Sequence, residues 1–171
     1  MILRDATDAD TDFLRRLYAS TRTDLLAQTG WDEAVLQSLI DLQFEAQRRG
    51  YAAQHPHARC RIAEHDGAPI GRLWTDRSAT PWWLLDIALL PEWRAAGWGT
   101  AMLQGLLDDA RRAGVAVRLH VEPGNPARRL YGRLGFAGLG TAGLHEEMEW
   151  RAIVAPAATR LTSVEAIDEQ A

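Results

Sequence analysis

The residues best built for chemistry in this chain are Arg94-Ala95-Ala96-Gly97-Trp98-Gly99-Thr100. Two glycines let the main chain approach a ligand closely and leave its N–H groups pointing outward. After Gly99, the apolar residues Met102, Leu103, Leu106, Leu107 and Ala110 recur at helical spacing. The first turn of that helix adds unpaired donors and the positive end of the helix dipole. Together these parts hold an anion, best a phosphate or pyrophosphate. Upstream, Leu84-Leu85-Asp86-Ile87-Ala88-Leu89-Leu90 reads as a buried strand that Pro91 stops, because proline cannot donate to a sheet ladder. A dinucleotide fingerprint needs a third glycine where Met102 stands. A Walker loop needs Gly-Lys-Ser/Thr, and that triplet does not occur.

Other residues stand out singly. Asp86 interrupts an apolar strand, and a carboxylate there is costly unless it is paired or faces a cleft. It either serves as a base or pairs with Arg118 or a backbone turn. Glu122 and His120, at the end of the β-prone run Val115 to Val121, are further candidates for a base. A histidine alternating with Leu119 and Val121 is more often an outward strand residue. Asn125 is a preferred helix cap. Tyr131 follows Ala127 by one helical turn and faces the same way. The lone cysteine, Cys60, alternates with Arg59 and Arg61 and reads as a buried strand residue rather than a nucleophile. The histidines show no close metal-ligand pattern, and His55-Pro56-His57 reads as a solvated loop.

The strand, the Arg-x-x-Gly-x-Gly turn and the helix closely resemble the coenzyme A loop of the GNAT acyltransferase superfamily. Downstream, Asn125-Pro126-Ala127-Arg128-Arg129-Leu130-Tyr131-Gly132-Arg133-Leu134-Gly135-Phe136 resembles that superfamily's Asn-x-x-Ala-x-x-Leu-Tyr-x-x-x-Gly-Phe signature. The two motifs come in the family's order, separated by one helix and one strand. The resemblance implies that the amides of Ala95, Ala96, Gly97, Trp98, Gly99 and Thr100 cradle the pyrophosphate of acetyl-coenzyme A. Arg94 would brace the loop or meet phosphate. Main-chain groups of Leu89 and Leu90 would bind the pantetheine arm like an added strand, and an N–H near Leu89 would polarise the thioester carbonyl. Asn125, Ala127 and Arg128 would lie beside the cofactor arm. Tyr131 would give a proton to the departing thiolate, and Asp86 would meet the amine or a relay water. One departure is Ala95, where many members carry glycine; it matters little provided that φ there stays negative.

The elements that must position these residues can be read in outline. Ile2-Leu3-Arg4 opens with a short strand, and Asp8 or Asp10 caps a helix carrying Phe13, Leu14, Leu17 and Tyr18. Thr29-Gly30 breaks the pattern before a second helix, which carries Val35, Leu36, Leu39, Ile40 and Phe44 and ends by Gly50. Arg59 to Glu64 and Ile70 to Thr75 form a hairpin about His65-Asp66-Gly67. Trp82 to Leu90, the glycine helix to Gly114, the strand to Val121, a short helix to Leu134 and two last strands, from Phe136 and from His145 to Ile153, complete the order. This predicts an α/β three-layer sandwich with a mixed sheet. The resemblance implies a GNAT-like α/β/α arrangement, the sheet mostly antiparallel and splayed at the cofactor site. Residues 1–153 read as one domain and 154–171 as a loosely ordered tail. Trp31, Phe44, Tyr51, Trp74, Trp82 and Trp83 could line an aromatic pocket, although Trp82 and Trp83 cannot face the same side of a strand.

Bulk properties narrow the function. With 171 residues and a net charge of -4, the chain suits one soluble domain and argues against a nucleic-acid binder. One cysteine permits no intrachain disulfide, and no apolar run nears membrane-spanning length. The N-terminus has no basic and apolar leader, so cytoplasmic location is the default expectation. The expected activity is N-acetyl transfer from acetyl-coenzyme A to a primary amine of a small molecule, by direct attack in a ternary complex and without a metal. The amine must be deprotonated, since an alkyl ammonium is neutral in only about one molecule in 2,500 at pH 7. Acylation of a protein N-terminus or lysine is the rival within the enzyme class. A non-catalytic acyl-coenzyme A sensor or interaction module is the rival outside it. Homodimers are common in the family, and no residue here demonstrates one.

Overall fold

The computed structural model of the protein describes residues 1–22 and 30–152. Thr29 of the expected Thr29-Gly30 break, Ile153 and the expected tail 154–171 lie outside these residues. The chain runs β1 (Ile2–Asp5), a 3-10 turn (Asp8–Asp10), α1 (Thr11–Ser20), α2 (Glu33–Gln54), β2 (Arg59–His65), β3 (Ala68–Asp76) and β4 (Trp82–Leu89). A second 3-10 turn (Pro91–Trp93) leads to α3 (Trp98–Ala113), β5 (Val117–Val121), α4 (Ala127–Arg133), β6 (Ala137–Ala142) and β7 (His145–Trp150). The strands form one seven-stranded sheet in the order β1-β2-β3-β4-β5-β7-β6. Every neighbouring pair is antiparallel except β4 and β5.

Helices cover both faces of the sheet. Successive strand residues point to opposite faces, and β2 shows the division. Ile62 packs with Phe13, Leu14, Leu17 and Tyr18 of α1 and with Ile40 and Phe44 of α2. Its neighbour Ala63 packs with Met102, Leu103, Leu106 and Leu107 of α3 and with Tyr131 of α4. The apolar stripe of α3 anticipated from spacing is buried, with Met102, Leu103 and Ala110 at 0% exposure. The Asp66-Gly67 turn has φ of 50° and 78°, the left-handed pair that a two-residue hairpin requires.

Three local expectations are corrected. Asp10 does not cap α1; its carboxylate accepts two bonds from Arg4, at 2.7 and 2.8 Å, and one from the Thr7 amide at 2.8 Å. That arrangement closes the preceding 3-10 turn and ties it to β1. Helix α2 does not end by Gly50 but continues to Gln54. An interior glycine costs about 1 kcal/mol; tertiary contacts of Tyr51 hold the last turn. The Tyr51 hydroxyl donates to the Leu85 carbonyl at 3.0 Å, and its ring stands edge-on to Trp74. Helix α3 begins at Trp98, with left-handed Gly97 before it at φ 85°.

The feature that makes room for a site is the junction of β4 and β5. Their register covers only Trp82–Val117, Trp83–Arg118 and Leu84–Leu119. Beyond Leu84 the strands part. The β3–β4 register explains why: Thr75 opposes Leu84 and Trp74 opposes Asp86, leaving Leu85 as an extra residue. Such a bulge bends its strand and redirects its groups, and the Leu85 carbonyl goes to Tyr51.

Candidate active site

A cleft of about 880 Å³ occupies the space where β4 and β5 separate. Asp86, Leu89, Arg94, Gly99, Glu122, Asn125, Ala127 and Tyr131 line it, as does His120. Leu90, Ala95, Ala96, Gly97, Trp98, Thr100 and Arg128 are not among its lining residues. Ala95, Ala96, Gly97 and Thr100 are exposed beside its mouth, and Trp98 is half-buried against the rings of His65 and Trp93.

The loop at the mouth is a main-chain device. The first bond of α3 runs from the Ala101 amide to the Gly97 carbonyl at 3.0 Å. The amides from Ala95 to Thr100 have no main-chain acceptor among the turn and loop bonds of the described residues. A side chain at Gly97 would meet no atom within 4 Å, so the left-handed backbone rather than crowding calls for glycine there. The condition under which alanine in place of glycine matters little at Ala95 is not met: its φ is 59°. The chain must turn from the 3-10 segment into α3 within a few residues, and a left-handed residue makes that reversal at about 1–2 kcal/mol of strain for a non-glycine. Arg94 braces this loop. Its Nε donates to the Leu89 carbonyl at 2.9 Å, and its Nη2 donates to the Ser20 carbonyl and hydroxyl at 3.2 and 3.3 Å.

Ladder alternation sets what β4 offers. The Leu90 amide donates to the Ile70 carbonyl at 2.9 Å, so Leu90 faces β3. Leu89 pairs with Gly71 at the adjacent position. Its N–H and C=O therefore face away from β3, toward the gap. Gly71 is required for this pairing: a β-carbon there would lie 2.4 Å from the Ala88 carbonyl oxygen.

On the opposite wall, Asn125 acts as a cap. Its Oδ1 accepts from the Ala127 amide at 2.9 Å as α4 begins. Arg128 points its guanidinium to Glu146 on β7, in paired bonds of 2.6 and 3.0 Å. Tyr131 is 7% exposed and packs on Phe136. Burial, then the charge of Asp86 and the nearby Tyr51, pushes its hydroxyl well above the usual phenol range, so it keeps its proton.

Asp86 is paired, but not with the partner anticipated. Arg118 goes instead to Glu149 at 2.6 Å and Glu147 at 3.2 Å, because the β5–β7 register places Arg118 opposite Glu149. Asp86 Oδ2 accepts from Arg72 Nε at 2.7 Å. Arg72 has 1% of its side chain exposed, Asp86 22%. Arg72 Nη2 donates to Gln47 Oε1 at 3.0 Å. Glu122 is exposed just beyond β5. The His120 ring lies tilted against Trp83 at 5.0 Å and His145 at 6.3 Å, centre to centre.

The anticipated aromatic pocket forms only in part. Tyr51 and Trp83 line the cleft. Phe44 is 0% exposed in the core, and Trp31 is 54% exposed. Trp82 packs on the α3 side under Arg77, so the two adjacent tryptophans do face opposite ways. His55 is not a solvated loop residue: its Nδ1 lies 3.0 Å from Asp76 Oδ2. Burial pushes the Cys60 thiol up to about 11, which leaves it protonated and unreactive at neutral pH.

Sequence reading passed over Arg72, Gln47, Tyr18 and Arg22, which also line the cleft. Arg72 carried a signal equal to that of Asp86, since it is a charge inside the apolar run Ile70 to Thr75. Tyr18 reads as part of the apolar stripe of the first helix, Gln47 as an ordinary polar helix position, and Arg22 lies in the turn just past α1. Among the described residues, no cluster of three histidine, cysteine or acidic side chains could hold a metal, and no helix is long and apolar enough to cross a membrane.

Comparison with known proteins agrees with this arrangement. The sequence model of the acetyltransferase (GNAT) family matches residues 14–136. Among solved structures, the PaiA N-acetyltransferase from Thermoplasma acidophilum in complex with coenzyme A is similar, with a TM-score of 0.69 and 20% identity over 88% of this chain and 98% of that one. An acetyltransferase from Thermus thermophilus has a TM-score of 0.64 and 18% identity over 88% and 96% of the two chains. A ribosomal-protein-alanine N-acetyltransferase from Brucella melitensis has a TM-score of 0.54 and 21% identity over 89% and 100%. A search of curated protein sequences found no match.

Proposed function

The chain belongs to the GNAT acetyltransferase family, and from that premise we propose that it transfers an acetyl group from acetyl-coenzyme A to the primary amine of a small molecule. The observation that carries this reading is the parting of β4 and β5 beyond Leu84, directly beside a loop whose amides from Ala95 to Thr100 have no main-chain acceptor among the described residues. These residues fit the cosubstrate. The amides from Ala95 to Thr100 suit its pyrophosphate, and the Leu89 N–H, which faces the gap, suits its acyl end; the Leu89 carbonyl is already taken by Arg94. The PaiA protein bound to coenzyme A supports the same reading. Acetyl-coenzyme A supplies an already activated acyl group when bound.

The remaining chemistry falls to the protein. The Leu89 amide donates to the carbonyl oxygen as charge develops there. We assign Tyr131, which lines the cleft, the proton given to the departing sulfur. Of the two carboxylates lining the cleft, Asp86 is fixed by Arg72 while Glu122 is exposed. We assign Asp86 to the incoming amine and Glu122 to the water through which a proton leaves. Cys60, with its thiol held protonated, forms no acyl intermediate. A cleft of about 880 Å³ is the size of small-molecule sites.

Calorimetric titration with acetyl-coenzyme A tests this on the wild type and on a folded Gly97→Glu, Gly99→Glu variant. The expected result is micromolar binding lost in the variant, followed by turnover in an amine screen. A well-folded wild type that binds no acetyl-coenzyme A overturns the proposal. Turnover with peptide N-termini and not with small amines shifts it to a protein acceptor, the kind named for the Brucella melitensis neighbour.

A further inference from the structure

The cleft wall built by α1, α2 and β3 carries more positive charge than acetyl transfer to a plain amine requires. Arg72 enters it from β3 with 1% of its side chain exposed. Its Nε and Nη2 are used by Asp86 and Gln47, but its Nη1 is buried and has no hydrogen-bond partner. Arg22, just past the end of α1, repeats the pattern: its Nε is buried without a partner. Both arginines line the cleft. Both lie over one ring, their guanidinium carbons 5.9 and 5.3 Å from the centre of Tyr18. A buried guanidinium N–H left without an acceptor is costly, and here two such donors from separate elements converge on one aromatic side chain. Arg72 is paired with Asp86, while no ion pair to Arg22 is present among the described residues.

We infer that this wall is a subsite for a carboxylate carried by the acceptor, so that the substrate class is a small amino acid. This rests on the reading that an amine is acetylated in this cleft. One surplus positive charge matches one carboxylate, whose two oxygens suit the two unpartnered donors, Arg72 Nη1 and Arg22 Nε. The span is short. Asp86 precedes Leu89 by three residues, about 10 Å along a strand, and the Arg72 guanidinium is bonded to Asp86. Amine and carboxylate therefore lie within about 10 Å of each other. A protein N-terminus presents a neutral main-chain amide where this wall offers two arginines.

The test uses the full chain with saturating acetyl-coenzyme A and follows release of the coenzyme thiol. The acceptors are amino acids with the amine at increasing distance from the carboxylate, each paired with its own primary amide. A nearby carboxylate makes an amine more basic and so less often neutral, so a preference for the acid reports binding rather than reactivity. The expected result, at one spacing or more, is a kcat/KM at least about tenfold higher for the acid than for its amide. Arg22→Gln, with its fold checked by melting, raises KM for the acid at least about fivefold and leaves both constants for the amide in place. Amides accepted as well as acids across the panel overturn the inference while leaving amine acetylation standing. So does an acid preference that Arg22→Gln does not change. A protein that binds acetyl-coenzyme A and acetylates no amine overturns both readings.

Discussion

The mouth of the cleft and its far wall are built on different principles. At the mouth, seven consecutive residues, Arg94 to Thr100, lie together at the start of one helix, and in the proposed reading the main-chain amides from Ala95 to Thr100 form the binding surface. Arg94, the one charged side chain there, is spent on carbonyls of Leu89 and Ser20. At the far wall, Gln47, Tyr51, Arg72 and Asp86 come from α2, β3 and β4, and their side chains do everything. The mouth is exposed and tolerates left-handed strain at Ala95. The wall is largely buried, and its Arg72–Asp86, Arg72–Gln47 and Tyr51–Leu85 bonds join residues far apart in sequence. A main-chain site made by one turn survives on local geometry; a side-chain site assembled from three elements exists only once those elements have packed.

This contrast has measurable consequences. Arg72→Ala strands Asp86 beside the core and opens a cavity, so it should cost about 3–5 kcal/mol in urea unfolding. A cost near zero would mean that the wall, like the mouth, is held by its backbone. Tyr131→Phe removes only a hydroxyl; kcat should fall about 100-fold, with acetyl-coenzyme A binding unchanged within about twofold by calorimetry. An unchanged kcat would assign Tyr131 to packing alone. Gly71→Ala sets a β-carbon 2.4 Å from the Ala88 oxygen. We expect a loss of about 1–3 kcal/mol together with a raised KM for acetyl-coenzyme A, because the end of β4 must shift. Ala95→Gly should do the opposite at the mouth. Relief of the left-handed alanine should add about 1 kcal/mol of stability, a rise of about 2–4 °C in melting temperature for a domain this size. A fall in melting temperature would show that the loop is not held left-handed at that residue.

Legibility in the sequence follows the same division. The α3 stripe, the Asp66-Gly67 turn and the short α4 were readable because their signals lie within a few residues of one another. Asn125 as a cap was readable for the same reason, its bond reaching only to Ala127. Asp86 stood out as a charge in an apolar run, yet its partner was misjudged: β5 offers Arg118 to β7, while β3 offers Arg72 across the antiparallel register. Arg128 followed a motif into the cofactor site, whereas pairing with Glu146 turns it to the β7 side.

The sequence by itself determined the glycine turn, the order of elements and the two motifs that carry the family resemblance, because glycine placement, apolar periodicity and short motifs act over distances shorter than one turn or one strand. The tertiary structure alone decided the bulge at Leu85, the parting of β4 from β5, the continuation of α2 past Gly50 and the Arg72–Asp86–Gln47 network. Each of these depends on which strand lies beside which and on what a helix packed across the sheet can reach. Hydrogen bonds and ion pairs between distant residues have no local pattern to betray them; burial, imposed by the whole fold, selects them.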